Sequence, residues 1–353
     1  GRNSMRYSHG GDIYTYGDML DFSVNVNPLG ISEHVTEAAK RGIEQAEAYP
    51  DSRCRKLREK LSQRQGLPQE YYVFGNGAAE IFYTLVLAEK PKQAFLPVPA
   101  FSEYERALRT VGCRIKYYRT KRENAFCIDE AFLSELNEQI DIVFLCSPGN
   151  PAGAVTDRKL LIRAVQLCEK FQIRLVADEC FAGLLDEPEK YSIIKETVRY
   201  PHLTVVRAFT KTFAMPGLRL GYGITSDRRL AEKMEQMRQP WSVSIPAQEA
   251  GIAALDEESM VREAGKLISE ERHFLEEHLD RLGMEYIPSD ANYILLYSET
   301  DLFNEMKKRN ILIRDCADYR GLAKGWYRIA VRRRSENQIL VRAFEEIMKE
   351  AGR

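Results

Sequence analysis

The stretch "DIVFLCSPGNPAGAVTDRKLLIRAVQLCEKFQIRLVADE", residues 141–179, decides the architecture. It opens on an apolar run, turns through Pro and Gly, continues with apolar residues at helical spacing, and ends on a second apolar run followed by acids. Two strands joined by a helix make a parallel crossover unit, because a parallel partner requires a connection that carries the chain back to the starting edge. The runs "QAFLPVP" (93–99), "RIKYYRT" (114–120) and "LTVVRAF" (203–209) extend the alternation, with the helix-like "FSEYERALRTVG" between the first two. An α/β domain around a mainly parallel sheet is expected, with its ligand beyond the carboxyl ends of the strands. After about residue 245 long helical stretches give way to the short strand-like runs "ANYILLYS", "ILIRDC" and "WYRIAVR" and a last helix. Residues 246–353 are therefore expected to form a smaller α+β domain, residues 36–245 the large domain, and residues 1–35 an arm lying against the small domain or across the site.

Composition narrows the classes of function. Lys and Arg number 51 against 52 Asp and Glu, a net charge of −1, which gives no electrostatic reason to expect nucleic acid or an anionic membrane surface. No apolar run approaches the roughly 20 residues that span a bilayer. The opening "GRNSMRYSHGG" lacks the apolar core of a signal peptide, so Met5 is read as the natural start and "GRNS" as an added leader. The seven cysteines are odd in number and form no CxxC pair. Neither a zinc site nor a disulfide framework is expected, and a reducing cytoplasm is the expected compartment.

Four features fall at strand ends. Asp178 closes "IRLVADE", Asn150 sits in the turn after "DIVFLCSP", and Lys211 follows "LTVVRAF". "VFGNGAAE" sets a glycine turn before a helical pattern, leaving free backbone N–H groups that suit a phosphate. Each is ordinary alone: a strand-end Asp usually caps or turns, and a lone Lys is usually solvated. Together, an amine, a carboxylate, an amide and a phosphate cradle at one sheet edge are what pyridoxal phosphate requires, the lysine forming a Schiff base and the acid keeping the pyridine nitrogen protonated.

From about residue 6 onward the sequence resembles the fold-type-I pyridoxal-phosphate enzymes of the class I/II aminotransferase group. The resemblance implies their three-layer, aspartate-aminotransferase-like large domain. "TKTFAMPGLRLGY" is similar to the group's lysine signature, which implies Lys211 as the Schiff-base lysine and Thr210 and Arg219 as phosphate ligands. "SPGNPAG" implies Asn150 on the phenolic oxygen, and "ADECF" implies Asp178 on the pyridine nitrogen with Phe181 where many members have Tyr. By the same resemblance Ala78 and Ala79 offer N–H groups to the phosphate, and Phe101 stacks on the ring. Tyr49 in "YPD" falls where a tyrosine of the neighbouring subunit reaches the phosphate, implying a homodimer. Ala208 stands where the group often has Ser or Thr, removing one phosphate hydroxyl.

"HGGDIY" (9–14), "DFSVNVNPLG" (21–30), "RQPWSVS" (238–244) and "IRDCADYRGL" (313–322) look like the threonine-phosphate decarboxylases of cobamide synthesis. The implied substrate is O-phospho-L-threonine or a relative such as O-phosphoserine, and the alternative is an aminotransferase similar to those for histidinol phosphate. A non-catalytic sensor fused to a DNA-binding module is not expected, since no residues precede the enzyme-like region to form one. As a strand, "WYRIAVR" puts Arg328 and Arg332 on one face, and "ILIRDC" adds Arg314; guanidinium forks suit carboxylates and phosphates. The resemblance assigns Arg328 to the α-carboxylate and makes Arg314, Asn25 and His9 candidates for the substrate's phosphate or carboxylate. Arg332 to Arg334 reads as a solvated basic run. Asp12 stands where the decarboxylases have Asn.

Overall fold

The computed structural model describes residues 9–352; the expected start at Met5 and the expected leader before it lie outside the described residues. Seven strands form the large sheet in the spatial order Tyr72–Gly75, Gly221–Ile224, Leu203–Ala208, Arg174–Asp178, Ile142–Cys146, Gln93–Val98 and Arg114–Arg119. Every pairing is parallel except those of Gly221–Ile224, which runs antiparallel to both neighbours. Five strands are the runs expected from the sequence. The two added ones are short: "YVFG" has no polar alternation, and "GYGI" carries two glycines, so neither displays a strand period.

Side chains alternate between two cores, as the period of two requires. Phe95, Val143, Leu145, Leu175 and Val205 enter one hydrophobic cluster. Leu96, Ile142, Phe144, Val176 and Val206 enter the other. Helices cover both faces, which gives the three layers and explains strands that are apolar throughout.

A second sheet, ordered Arg314–Asp315, Trp326–Ala330, Tyr293–Tyr297 and Glu285–Tyr286, is antiparallel. It shares a core with the helices Glu258–Arg281 and Arg334–Glu350, through Ile294, Ile329, Leu275 and Phe344. The N-terminal arm joins this unit: Leu20–Asp21 pairs in parallel with Ile311–Leu312, and Phe22 is buried in the same core. The helix Ile245–Ala254 instead packs in the core of the large sheet through Ala247, Ala250 and Ala254, beside the helix Glu33–Ile43. The change of core therefore falls after Ala254 rather than at residue 245. The sequence pattern shifts earlier because helix follows helix there, and periodicity does not reveal which core a helix faces. Among the described residues, no helix is long and apolar enough to cross a membrane.

The far end of the central strand is tied by charge. Arg174, nearly fully buried, donates to Glu89 (2.8 Å), Asp227 (2.6 Å) and the Pro201 carbonyl (2.6 Å). Asp227 also caps the helix Arg228–Met237 through the Leu230 N–H. Arg174→Leu leaves two carboxylates facing each other, though both retain some water, so it is expected to lower unfolding free energy by about 2–4 kcal/mol in urea denaturation. Cofactor affinity of the folded fraction is expected to be unchanged, since Arg174 lies at the opposite end of the strand from Asp178.

Candidate active site

The carboxyl ends of the parallel strands converge with the start of the antiparallel strand. Asp178 ends one strand and lies in register with Cys146, whose loop carries Asn150. Ala208 ends the next strand, and Lys211 follows within the short helix Phe209–Thr212, together with the half-buried Thr210. Tyr72–Gly75 leads through Asn76 and Gly77 into the helix Ala78–Glu89. Arg219 immediately precedes the antiparallel strand and so returns to the same edge.

Two glycines allow Arg219 and the Gly221–Ile224 strand to approach the start of the helix Ala78–Glu89. Gly77 has φ +87°, and a Cβ there would lie 2.2 Å from Arg219 Nη2; a Cβ on Gly221 would lie 2.5 Å from the Ala78 nitrogen. Both Ala78 and Ala79 lie in the first turn of the helix, where backbone N–H groups have no partner within the helix. Arg219 itself sits in the left-handed region (φ +63°), a conformation that costs a non-glycine residue about 1–3 kcal/mol. Its guanidinium donates to the Pro216 carbonyl at 3.1 Å, and among the described residues it has no carboxylate within ion-pair distance. A cation and a helix N-terminus facing one space form an anion site.

Asp178 is buried, with Tyr104 donating its hydroxyl to Oδ2 and the Cys180 N–H donating to Oδ1 at 2.9 Å. Burial is the largest influence and pushes the carboxyl above its ordinary value, while the Cys180 and Tyr104 hydrogen bonds pull it back. Its hydrogen-bond donors are all neutral, so a cation is the partner this carboxylate lacks. Burial, and after it the Arg328 guanidinium, push Lys211 down to about 8. Its Nζ stands 5.8 Å from the centre of the Phe181 ring. Phe181 is buried edge-on to Tyr293 (4.8 Å), and the Tyr293 hydroxyl donates to the Gly149 carbonyl at 2.7 Å. Phe101 precedes the helix Ser102–Thr110 and meets Tyr104 edge-on at 5.7 Å. An anion cradle, a cation-seeking acid and an amine of lowered pKa fit the phosphate, pyridine nitrogen and aldehyde of pyridoxal phosphate.

Arg328 approaches from the smaller unit. It is buried and donates to Asn150 Oδ1, to the Ser23 carbonyl (3.2 Å) and to Tyr319 Oη (3.4 Å). With its amide oxygen facing the guanidinium, Asn25 accepts from Nε at 3.1 Å and from Nη2 at 3.3 Å. All of these partners are neutral. Arg314 stands directly across the antiparallel ladder from Arg328, and Asp318 pairs with it at 3.1 Å. Like charges opposite one another repel, and the aspartate offsets that.

Other expected residues stand elsewhere. His9 is exposed and pairs with Glu103 at 3.0 Å, its ring 5.9 Å from Phe101. Tyr49 is 79% exposed and packs on Trp241 at 4.7 Å. Asp12 caps the short helix Ile13–Tyr16 through the Thr15 N–H, which accounts for a side chain that Asn could replace. The basic run 332–334 is not simply solvated: Arg332 donates to the Asp21 carbonyl and pairs with Glu336, and Arg334 pairs with the buried Glu271. Tyr104, Tyr293 and Tyr319 escaped the sequence reading. Tyr104 follows three residues after Phe101, inside the first turn of the helix that Phe101 precedes.

The comparisons with known proteins agree with this geometry. The family model for aminotransferase class I and II matches residues 17–344. The threonine-phosphate decarboxylase of Salmonella typhimurium is 33% identical over 353 residues, covering 97% of this chain and 96% of that protein. The histidinol-phosphate aminotransferase of Nitratidesulfovibrio vulgaris is 32% identical over 350 residues, covering 96% and 91%. The solved structure of the histidinol-phosphate aminotransferase from Clostridium acetobutylicum superimposes with a TM-score of 0.88 at 29% identity, over 94% of this chain and 100% of that one. Matches that run nearly end to end, together with the lysine, aspartate and arginine gathered at one sheet edge, lead to one conclusion: the chain belongs to the class I and II aminotransferase family of pyridoxal-phosphate enzymes.

Proposed function

We propose that the chain is a pyridoxal-phosphate-dependent decarboxylase of O-phospho-L-threonine, or of a close relative such as O-phosphoserine, releasing carbon dioxide and the amino-alcohol phosphate. The observation that carries the reading is Arg328, a buried guanidinium with only neutral partners at the mouth of the cofactor site and a second arginine across the ladder. A substrate carboxylate supplies the anion that Arg328 lacks, whereas Arg314 already has Asp318 at 3.1 Å. The N-terminal arm supports the choice. The "HGG" glycines are close-packed, with no room for a Cβ against Ser23 at Gly10 or against Val24 at Gly11. The segment that resembles the decarboxylases thus lies against the strand end that supports Arg328.

In this reading Arg219, Thr210 and the Ala78 and Ala79 N–H groups hold the cofactor phosphate. Asp178 receives the pyridine nitrogen, Asn150 the phenolic oxygen, and Phe101 covers the ring. Lys211 would hold the cofactor covalently through Nζ. When bound, the cofactor supplies an electron sink for the pair left at Cα. Arg328 grips the substrate carboxylate, and the direction in which the arginines turn it selects the bond that breaks. If the Cα–carboxylate bond breaks, carbon dioxide leaves and Lys211 Nζ delivers a proton to Cα. If the Cα–H bond breaks, Lys211 removes that proton and the same parts perform transamination. The similarity to histidinol-phosphate aminotransferases favours this second reading. A second copy of the chain is the partner we expect over the exposed Tyr49–Trp241 pair.

Purified protein incubated with O-phosphothreonine alone is expected to release carbon dioxide, measured with labelled carboxylate. Product formed only with 2-oxoglutarate, with glutamate appearing and no carbon dioxide, sinks the decarboxylase. Lys211→Ala is expected to abolish the absorbance band near ~410–430 nm that marks covalent cofactor; a retained band would show that the anchor lies elsewhere. A lysine titrating at about 8 is neutral, and so able to attack, above that value. Cofactor capture by the cofactor-free protein is therefore expected to slow about tenfold from pH 9 to pH 7, as stopped-flow absorbance would read. Arg328→Lys replaces a fork with a point charge and is expected to lower kcat/KM about 100-fold, mostly through KM.

A further inference from the structure

We propose that Tyr104 is a positioning residue for Asp178: its hydroxyl, with the Cys180 N–H, holds the carboxylate charged and oriented to receive the cofactor's pyridinium. The proposal rests on Asp178 facing the pyridine nitrogen, as in the function proposed above, and it concerns a residue that the family signatures quoted above do not include.

The geometry leaves Tyr104 little else to do. Its ring is clamped on three sides, stacked on Phe144 at 4.8 Å and meeting Phe82 (5.0 Å) and Phe101 (5.7 Å) edge-on. The side chain is buried, and its hydroxyl donates to Asp178 Oδ2 with the Cys146 thiol beside it. A buried polar group in so confined a place is retained where its hydrogen bond matters. The partner oxygen Oδ1 accepts from the Cys180 N–H at 2.9 Å. The two donors thus grip opposite oxygens and define the plane of the carboxylate.

The electrostatics point the same way. Among the described residues no cation lies within ion-pair distance of Asp178. Burial, the largest influence, drives it towards the neutral acid, and Tyr104 and Cys180 oppose that drive by hydrogen-bonding the charged form. Burial, and after it the Asp178 charge, hold the Tyr104 hydroxyl far above its ordinary value, so it remains a donor throughout the working range. The helix Ser102–Thr110 therefore serves the cofactor twice: Phe101 lies ahead of its first turn at the ring, and Tyr104 lies within that turn behind the acid.

Cofactor-free full-length protein would be titrated with pyridoxal phosphate across roughly pH 5.5 to 8.5, for wild type, Tyr104→Phe, Asp178→Asn and the double variant. Tyr104→Phe keeps the packed ring and removes one oxygen. It is expected to weaken cofactor binding about tenfold near neutral pH. The pH below which affinity falls is expected to move up by about one unit, because an aspartate protonated more readily is lost earlier as pH drops. In the Asp178→Asn background, Tyr104→Phe is expected to have no further effect, since the hydroxyl acts through the carboxylate. An unchanged affinity and pH profile in Tyr104→Phe, or effects that add in the double variant, would overturn the proposal. A lower melting temperature with an unshifted pH profile would assign Tyr104 to packing alone and overturn it as well. Full cofactor affinity in Asp178→Asn would instead sink the assignment of Asp178 on which the proposal rests.

Discussion

A sheet buried on both faces can meet a ligand only at its ends. Here strands whose side chains feed two hydrophobic cores leave the carboxyl edge as the place where polar groups can gather. Asp178, Asn150, Lys211 and the helix at Ala78 all follow strand ends at that edge. Arg219 joins them because one strand, Gly221–Ile224, runs the other way and begins where its neighbours finish. That reversal gives the anion cradle its side-chain cation. It also requires glycine at 77 and 221, where backbone and guanidinium come too close for a Cβ.

The charges at this edge are mostly uncompensated within the chain. Among the described residues, Lys211, Arg219 and Arg328 have no carboxylate within ion-pair distance, and Asp178 has no cation. Elsewhere buried charges are matched: Glu179 pairs with the half-buried Arg207 at 2.9 Å, and Arg174 with Glu89 and Asp227. Asp178 and Arg328 are the buried members of the uncompensated set, and leaving a buried charge without its counterpart is costly unless a ligand supplies it. The contrast between Arg207 and Arg219, twelve residues apart in one segment, shows the difference between a structural cation and one that waits for an anion. Asp178 ends its strand at the site, and Glu179, the next residue, turns to Arg207.

Much of this was legible in the sequence, and the limits have physical causes. Asp178, Asn150 and Lys211 announced themselves because each ends an apolar run, and strand ends can be read from hydrophobicity. The Gly221–Ile224 strand did not, since "GYGI" has neither alternation nor bulk, and with it went the reason Arg219 returns to the edge. The partner of Arg207, Glu179, follows the end of a neighbouring strand, and strand order is not written in local pattern. Helix Ile245–Ala254 was grouped with the smaller unit because its small residues carry no sign of which core they fill. Tyr104 was passed over since a tyrosine on an amphipathic helix is ordinarily core, and only Asp178 opposite its hydroxyl makes it more than that.

The reaction is the least legible feature, and the arrangement of Arg328 explains why. Its guanidinium touches Asn150, the residue proposed at the cofactor's phenolic oxygen, and Tyr319 and Asn25 on the substrate side. The group that would grip the substrate carboxylate is thereby braced against a group that would grip the cofactor. In the proposed function, a shift of Asn25 or Tyr319 would turn Arg328 and with it the carboxylate. Decarboxylation and transamination differ by such a turn, so proteins of either activity can share one fold and comparable identity to this chain. Under the proposed function, the groups that brace Arg328, namely Asn25 and the Ser23 carbonyl in the N-terminal arm and Tyr319 after Arg314, would decide which bond is cleaved.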